Sequence, residues 1–205
     1  MNISKATFSI FKRDVIIYFL NFLTSIIISR KIGLTALGIW SILKLVYTYG
    51  ETFGRSRAEF AAIYFIGNKK IDKGTAFISL NLILIFFILI IEFFAFSNYE
   101  YIYNLLFKNI DIIYKKEFLL TLISIPIQLT FITYSYFFIA IKDFNNFNKT
   151  TILNNLLLTI FSIGSLIFTS FQLKGLIFAY FIAPFISSIY SLYLFWNKYF
   201  KKSNI

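Results

Sequence analysis

Few side chains in this sequence are equipped for bond-making chemistry, and most of its charges sit in apolar surroundings. There is no Cys and no His, which excludes disulfides, thiol nucleophiles and the commonest general base and zinc ligand. Nine acids remain: Asp14, Glu51, Glu59, Asp72, Glu92, Glu100, Asp111, Glu117 and Asp143. None forms the close D-x-x-D pair that would hold Mg²⁺ against a phosphate. The expectation is a protein that is not an enzyme and carries no cofactor and no metal.

What the inventory does offer is charge handling. Lys44 and Glu51 interrupt an apolar stretch seven residues apart, which places them on one helical face, and Arg55 extends that face by one turn beyond Glu51. An ionisable group within a membrane span costs at least a few kcal/mol by insertion scales, so such groups mark pathways or locks. The face Lys44, Glu51, Arg55 therefore either lines a wet cavity or forms a self-neutralising pair that holds a bundle together. Asn21, Thr24, Ser25 and Ser29 make a second, uncharged stripe, suited to helix–helix hydrogen bonds or to substrate contact. Asn81, Gln128 and Asn154 pose the same choice, Glu92 reads as a solvated interfacial charge, and Arg30 stands where an outer mouth would open.

The elements that position these groups follow from composition. In 205 residues, 59% are hydrophobic, 21% aromatic and only 14% charged. A soluble domain runs nearer 25% charged and 45–50% apolar, so the surplus must face lipid. The fold class expected is all-α: a polytopic membrane protein built as a bundle of about six transmembrane helices, in a single domain over 1–205. Spans fall at 14–32, 36–54, 75–96, 117–141, 150–171 and 175–196. A juxtamembrane helix occupies 55–68, and an outer loop over 97–116 carries an interfacial helix patterned by Tyr101, Leu105 and Ile112. Uncharged runs of this length must be helices, because lipid offers an open backbone no partner. Asn145–Asn148 supply cap-type residues before the fifth span, and Gln172–Gly175 join the last two spans as a tight hairpin. Pro126 and Pro184 fall mid-span and are candidate hinges.

Charge then orients the bundle. The net charge is +11. Thirteen of the twenty basic residues fall on the side of the N-terminus, six on the other, and Lys44 lies within a span. Basic residues collect in cytoplasmic loops, so both termini are expected in the cytoplasm and no nucleic acid is needed to explain the excess. The strong preference for Phe, Ile, Asn, Lys and Tyr fits an AT-rich bacterial genome, hence a bacterial cytoplasmic membrane.

Four stretches together resemble the polysaccharide (oligosaccharidyl-lipid) flippases of the multidrug/oligosaccharidyl-lipid/polysaccharide exporter superfamily. They are SRKIGLTALGIWSI from Ser29, GETFGRSRAEFAAIYFIGNKK from Gly50, IAIKDFNNFNKTTILNNLL from Ile139 and LKGLIFAYFIAP from Leu173. The resemblance implies the N-terminal lobe of a transporter that flips lipid-linked oligosaccharide or polysaccharide repeat units, as in O-antigen biosynthesis, by alternating access. Such flippases have two six-helix lobes and this chain matches one. The implied partners are membrane lipids, a lipid-linked anionic oligosaccharide, and a second lobe supplied by a copy of this chain or by another one, the chain being a half-length or truncated member. On that reading Lys44, Arg55 and Arg30 offset the phosphates and Glu51 balances them, with Asn21 on the same path. Two other readings stay open: a non-transporting scaffold or assembly subunit, and another small secondary transporter of the same superfamily.

Overall fold

The computed structural model describes residues 3–55, 57–68, 70–108, 114–169 and 172–200. All the regular structure within them is helical. In chain order the helices are α1 (Ile3–Lys31), α2 (Leu34–Gly54), α3 (Ala58–Gly67), α4 (Lys73–Ser97), α5 (Tyr99–Leu106), α6 (Lys115–Ala140), α7 (Phe144–Phe168) and α8 (Gln172–Phe195), closed by a π-helical turn over Trp196–Phe200.

Four of these are long and apolar enough to cross a membrane: Lys73–Ser97, Lys115–Ala140, Phe144–Phe168 and Gln172–Tyr199. The protein is an all-helical membrane protein. The two further crossings expected over 14–32 and 36–54 are helices of sufficient length, 29 and 21 residues, but they carry more charge. Arg13–Asp14 and Arg30–Lys31 bracket only fifteen uncharged residues of α1, and Lys44 and Glu51 interrupt α2.

Helix ends are set by local chemistry. Asp72 caps α4, accepting from the Thr75 N–H at 2.9 Å and from the Thr75 hydroxyl. Those two bonds hold its carboxyl below the usual carboxylate range. Between α6 and α7 the chain reverses through Lys142, which adopts a left-handed φ of 58°. Lys142 N–H donates to Ile139 O and Asp143 N–H to Phe138 O, a Schellman-type closure of the kind usually made by glycine. Asp143 then starts α7, accepting from the Asn146 N–H at 3.3 Å. Its cap role places the helix start ahead of the Asn145–Asn148 run, which lies inside the first turns.

α6 and α8 are the buried centre of the bundle, while α4 presents most of its apolar surface outward. α8 packs on both α6 and α7. It does so with a ridge of small residues every fourth position: Gly175, Ala179, Ala183, Ser187 and Ser191, all buried. A Cβ at Gly175 would overlap the Ser165 side chain of α7. In lipid, helices associate by close packing rather than by escape from water, so small residues at the seam supply the contact. Gly50 and Gly54 do the same for α2, where an added methyl would lie 2.5 Å from Ile125 and Leu129 of α6 respectively.

Contact levels give the helix directions. Ser9 meets Asn148 at 2.7 Å, Arg13 covers Phe147 and Thr24 meets Thr159 at 3.1 Å, so α1 runs parallel to α7. Gly50 with Ile125 and Gly54 with Leu129 make α2 parallel to α6. Asn81 with Tyr134, and Phe77 with Phe137, make α4 antiparallel to α6. Two aromatic clusters mark the ends: Tyr99, Tyr103, Phe107 and Phe118 at one, and Phe77, Phe137 and Phe195 at the other. A short helix, α5, falls within the expected outer loop, with Tyr103 buried and Tyr101 and Leu105 exposed; Ile112 lies outside the described residues.

Candidate functional site

The face expected on α2 divides into two groups. Glu51 is half-buried and faces the Gln128 side chain of α6, with Arg55 one turn further on. Arg55 ends α2: its N–H donates to Glu51 O at 3.0 Å, and its guanidinium lies 4.2 Å over the ring of Tyr136. A cation on an aromatic face at a partly dry site is held by about 1–2 kcal/mol. Tyr136 meets Phe147 of α7 edge-to-face at 5.6 Å, and Phe147 in turn carries Arg13 at 4.4 Å. Two guanidiniums thus each cover one of a pair of contacting rings from α6 and α7.

Lys44 stands apart. It is exposed, two turns toward the other end of α2, and no ion pair joins it to Glu51. It borders a cleft between α2, α6 and α8, where Trp40 and Tyr47 pack on Tyr180 and the Tyr47 hydroxyl donates to Tyr180 O at 3.1 Å. The cleft has room for about one water molecule. Along the exposed side of α2, Ser41, Thr48 and Thr52 each donate to the carbonyl four residues earlier. Their hydroxyls are thereby satisfied, while the face they form stays polar.

The stripe on α1 also splits. Thr24 turns inward to Thr159 of α7, whereas Asn21, Ser25 and Ser29 are exposed, the two serines donating to carbonyls three residues earlier. Arg30 is exposed in the last turn of α1. Pro126 and Pro184 lie within α6 and α8, which continue through them. Thr130 and Ser188 each donate to the carbonyl of the proline four residues before, at 2.8 and 2.7 Å. Glu92 is half-buried on α4.

Two charged nodes escaped the sequence reading. Asp143 is buried and accepts from Lys198 Nζ at 2.6 Å, the Tyr199 hydroxyl at 2.8 Å and Asn146 Nδ2 at 2.9 Å. Burial alone would raise its carboxyl, but hydrogen bonds from Lys198, Tyr199 and Asn146 outweigh that and hold it below the usual carboxylate range. Lys198 and Tyr199 lie 55 and 56 residues away, so no local spacing could signal them. At the other end Glu117 is buried 3.8 Å from the exposed Lys174. Among the described residues no three acids converge as a metal site.

Comparison with protein-family models, curated proteins and solved structures finds no match to this chain. Fold and site therefore define a class only, a helical membrane protein with cationic groups on a polar helix face.

Proposed function

We propose that this chain is one six-crossing lobe of an exporter that flips lipid-linked anionic oligosaccharide or polysaccharide repeat units across a bacterial cytoplasmic membrane by alternating access, with both termini cytoplasmic. Two features support six crossings. α1 and α2 lie alongside the apolar helices α7 and α6 through several turns, and successive long helices alternate in direction. The basic residues follow suit: Arg13, Arg55, Lys73, Lys142, Lys149 and Lys198 gather at one end, against Arg30, Lys31, Lys115, Lys116 and Lys174 at the other.

The observation that carries the transport reading is the exposed Lys44 on a hydroxyl-bearing face of α2, between the ends of the bundle. Lipid tails do not solvate an ammonium, so that face suits a hydrated path shared with a second lobe, either another copy or a separate chain. A diphosphate crossing the bilayer needs such a cation to offset its charge. No bond is made or broken.

The test is flipping of a lipid-linked oligosaccharide in reconstituted vesicles. Lys44→Ala is expected to insert normally and to lose transport by tenfold or more. Unchanged flipping by that variant removes Lys44 from the path. Absence of flipping by the unaltered protein, together with normal membrane assembly when Lys44 and Glu51 are both neutralised, favours a scaffold instead.

A further inference from the structure

Pro184 stands about 18 Å along α8, a helix about 36 Å long, and so falls at mid-length. α8 is long and apolar enough to cross a membrane, and Pro184 is buried within it. A proline has no N–H, so the carbonyl four residues earlier, that of Tyr180, loses its helical donor. Lipid supplies no substitute. A carbonyl freed in this way at membrane depth finds its partner in a neighbouring helix, a hydroxyl side chain or a water. Here the partner is the buried Tyr47 hydroxyl of α2, which donates to Tyr180 O at 3.1 Å. A bond between two helices thus replaces one that the proline removes from α8.

The surroundings favour a bend at this step. Beyond the proline, Ser188 donates to Pro184 O at 2.7 Å and Ser191 to Ser187 O at 2.8 Å. Hydroxyls that bond back to the carbonyl four residues earlier bend helices. The end of α8 that carries Phe195 is pinned, with Phe195 stacked on Phe77 of α4 at 4.3 Å and edge-on to Phe137 of α6 at 5.3 Å. The other half holds α7 through Gly175, seated against Ser165. It meets α2 through ring edges, Trp40 and Tyr47 against Tyr180 at 5.0 and 5.2 Å. Beside those rings lies the one-water cleft bordered by Lys44, Thr121 and Ser124.

We propose that Tyr47 and Pro184 form a latch on α8. While the Tyr47 hydroxyl holds Tyr180 O, α8 keeps the form seen here. When it lets go, α8 bends between Tyr180 and Pro184, the α7–α8 hairpin draws away from α2, and the cleft beside Lys44 widens to admit more water. Water entering the cleft then donates to Tyr180 O, so the carbonyl is never left bare. Exchanging one hydrogen bond for another keeps the two states close in free energy, as a two-state joint requires. A failed flipping assay would leave the latch standing, and a rigid α8 would leave Lys44 on its polar face.

Amide hydrogen exchange of the purified protein in mild detergent reads the bend. Tyr47→Phe removes the hydroxyl and keeps the ring. It is expected to speed exchange at residues 181–188 about tenfold while α7 is unchanged. Pro184→Ala returns a backbone donor to Tyr180 O, so in that background Tyr47→Phe should alter exchange by less than about twofold. The chain has no cysteine, and Ser124, 1% exposed in the cleft wall, becomes a probe of the cleft as Ser124→Cys. Its reaction with methyl methanethiosulfonate is expected about tenfold faster with Tyr47→Phe, and back at its starting rate once Pro184→Ala is added. Should Tyr47→Phe not accumulate, Pro184→Ala alone is read and should slow exchange at residues 181–188 severalfold. Unaltered exchange there in either single variant overturns the latch. Equal acceleration by Tyr47→Phe with and without Pro184→Ala also overturns it, because Tyr47 would then act by packing. A Ser124→Cys rate that does not follow the exchange overturns the widening of the cleft.

Discussion

Replacing Asp143 by Ala is expected to loosen the end of the bundle where α6, α7 and α8 meet. The carboxylate accepts from Lys198, Tyr199 and the Asn146 side chain at 2.6–2.9 Å, and from the Asn146 N–H at 3.3 Å. Breaking a buried ion pair by removing one partner costs about 3–5 kcal/mol, most of it from the group left without a partner. Lys198 is half-exposed and regains water, which puts the pair term toward the lower limit. Loss of the α7 cap adds about 1 kcal/mol, for a total of about 3–4 kcal/mol. For a chain this long each kcal/mol moves the midpoint by about 2–4 °C, so thermal unfolding in mild detergent should show a fall of about 6–16 °C. Asp143→Asn keeps an acceptor for Tyr199 and the cap but not the ion pair, and should fall by about half as much.

The pH dependence has a definite sign. The carboxyl is held below its unfolded value of 3.8 in the folded protein. Its contribution is therefore fully present above that value and is lost as pH falls through the lower, folded one. The advantage of the unaltered protein over Asp143→Asn should be constant from pH 7 to 5 and shrink below pH 4. A midpoint for Asp143→Ala within 1 °C of the unaltered protein would refute the reasoning, as would a gap to Asp143→Asn that widens on acidification.

Two further substitutions probe the seams. Gly175→Ala drives a methyl into Ser165 and should destabilise the α7–α8 hairpin by about 1–3 kcal/mol through overpacking, read as a lower unfolding midpoint that Ser165→Gly partly restores. Glu117→Gln should be neutral or stabilising by about 1 kcal/mol in the same assay, because an ion pair at 3.8 Å to an exposed lysine offsets little of the cost of burying the carboxylate.

How much of this was legible in the sequence depends on whether the signal is local. α4, α6, α7 and α8 are long runs of Ile, Leu and Phe that announce themselves, since only a helix satisfies their backbone in lipid. The patterning of Tyr101 and Leu105 likewise marks α5. α1 and α2 are weaker, because Asp14, Lys44 and Glu51 dilute the apolar signal. Periodicity places Lys44 and Glu51 on one face, but it cannot say that Glu51 turns to Gln128 while Lys44 turns outward. Those choices are made by α6, seventy or more residues away. The Asp143 node is invisible for the same reason, its partners lying beyond an entire helical hairpin. The four-residue spacing of Gly50 and Gly54 was not read as a packing seam, and its use against Ile125 and Leu129 becomes evident only from the parallel alignment of α2 with α6.

The most direct test of the six-crossing account is the compartment of the turn between α1 and α2 relative to the two chain ends. Short epitope tags at each terminus and one inserted at Gly33 are probed with protease in intact spheroplasts and again after lysis: the terminal tags should be protected before lysis, and the Gly33 tag digested. Protection of the Gly33 tag together with the terminal ones would mean that α1 and α2 do not cross, and the six-crossing account would have to be abandoned.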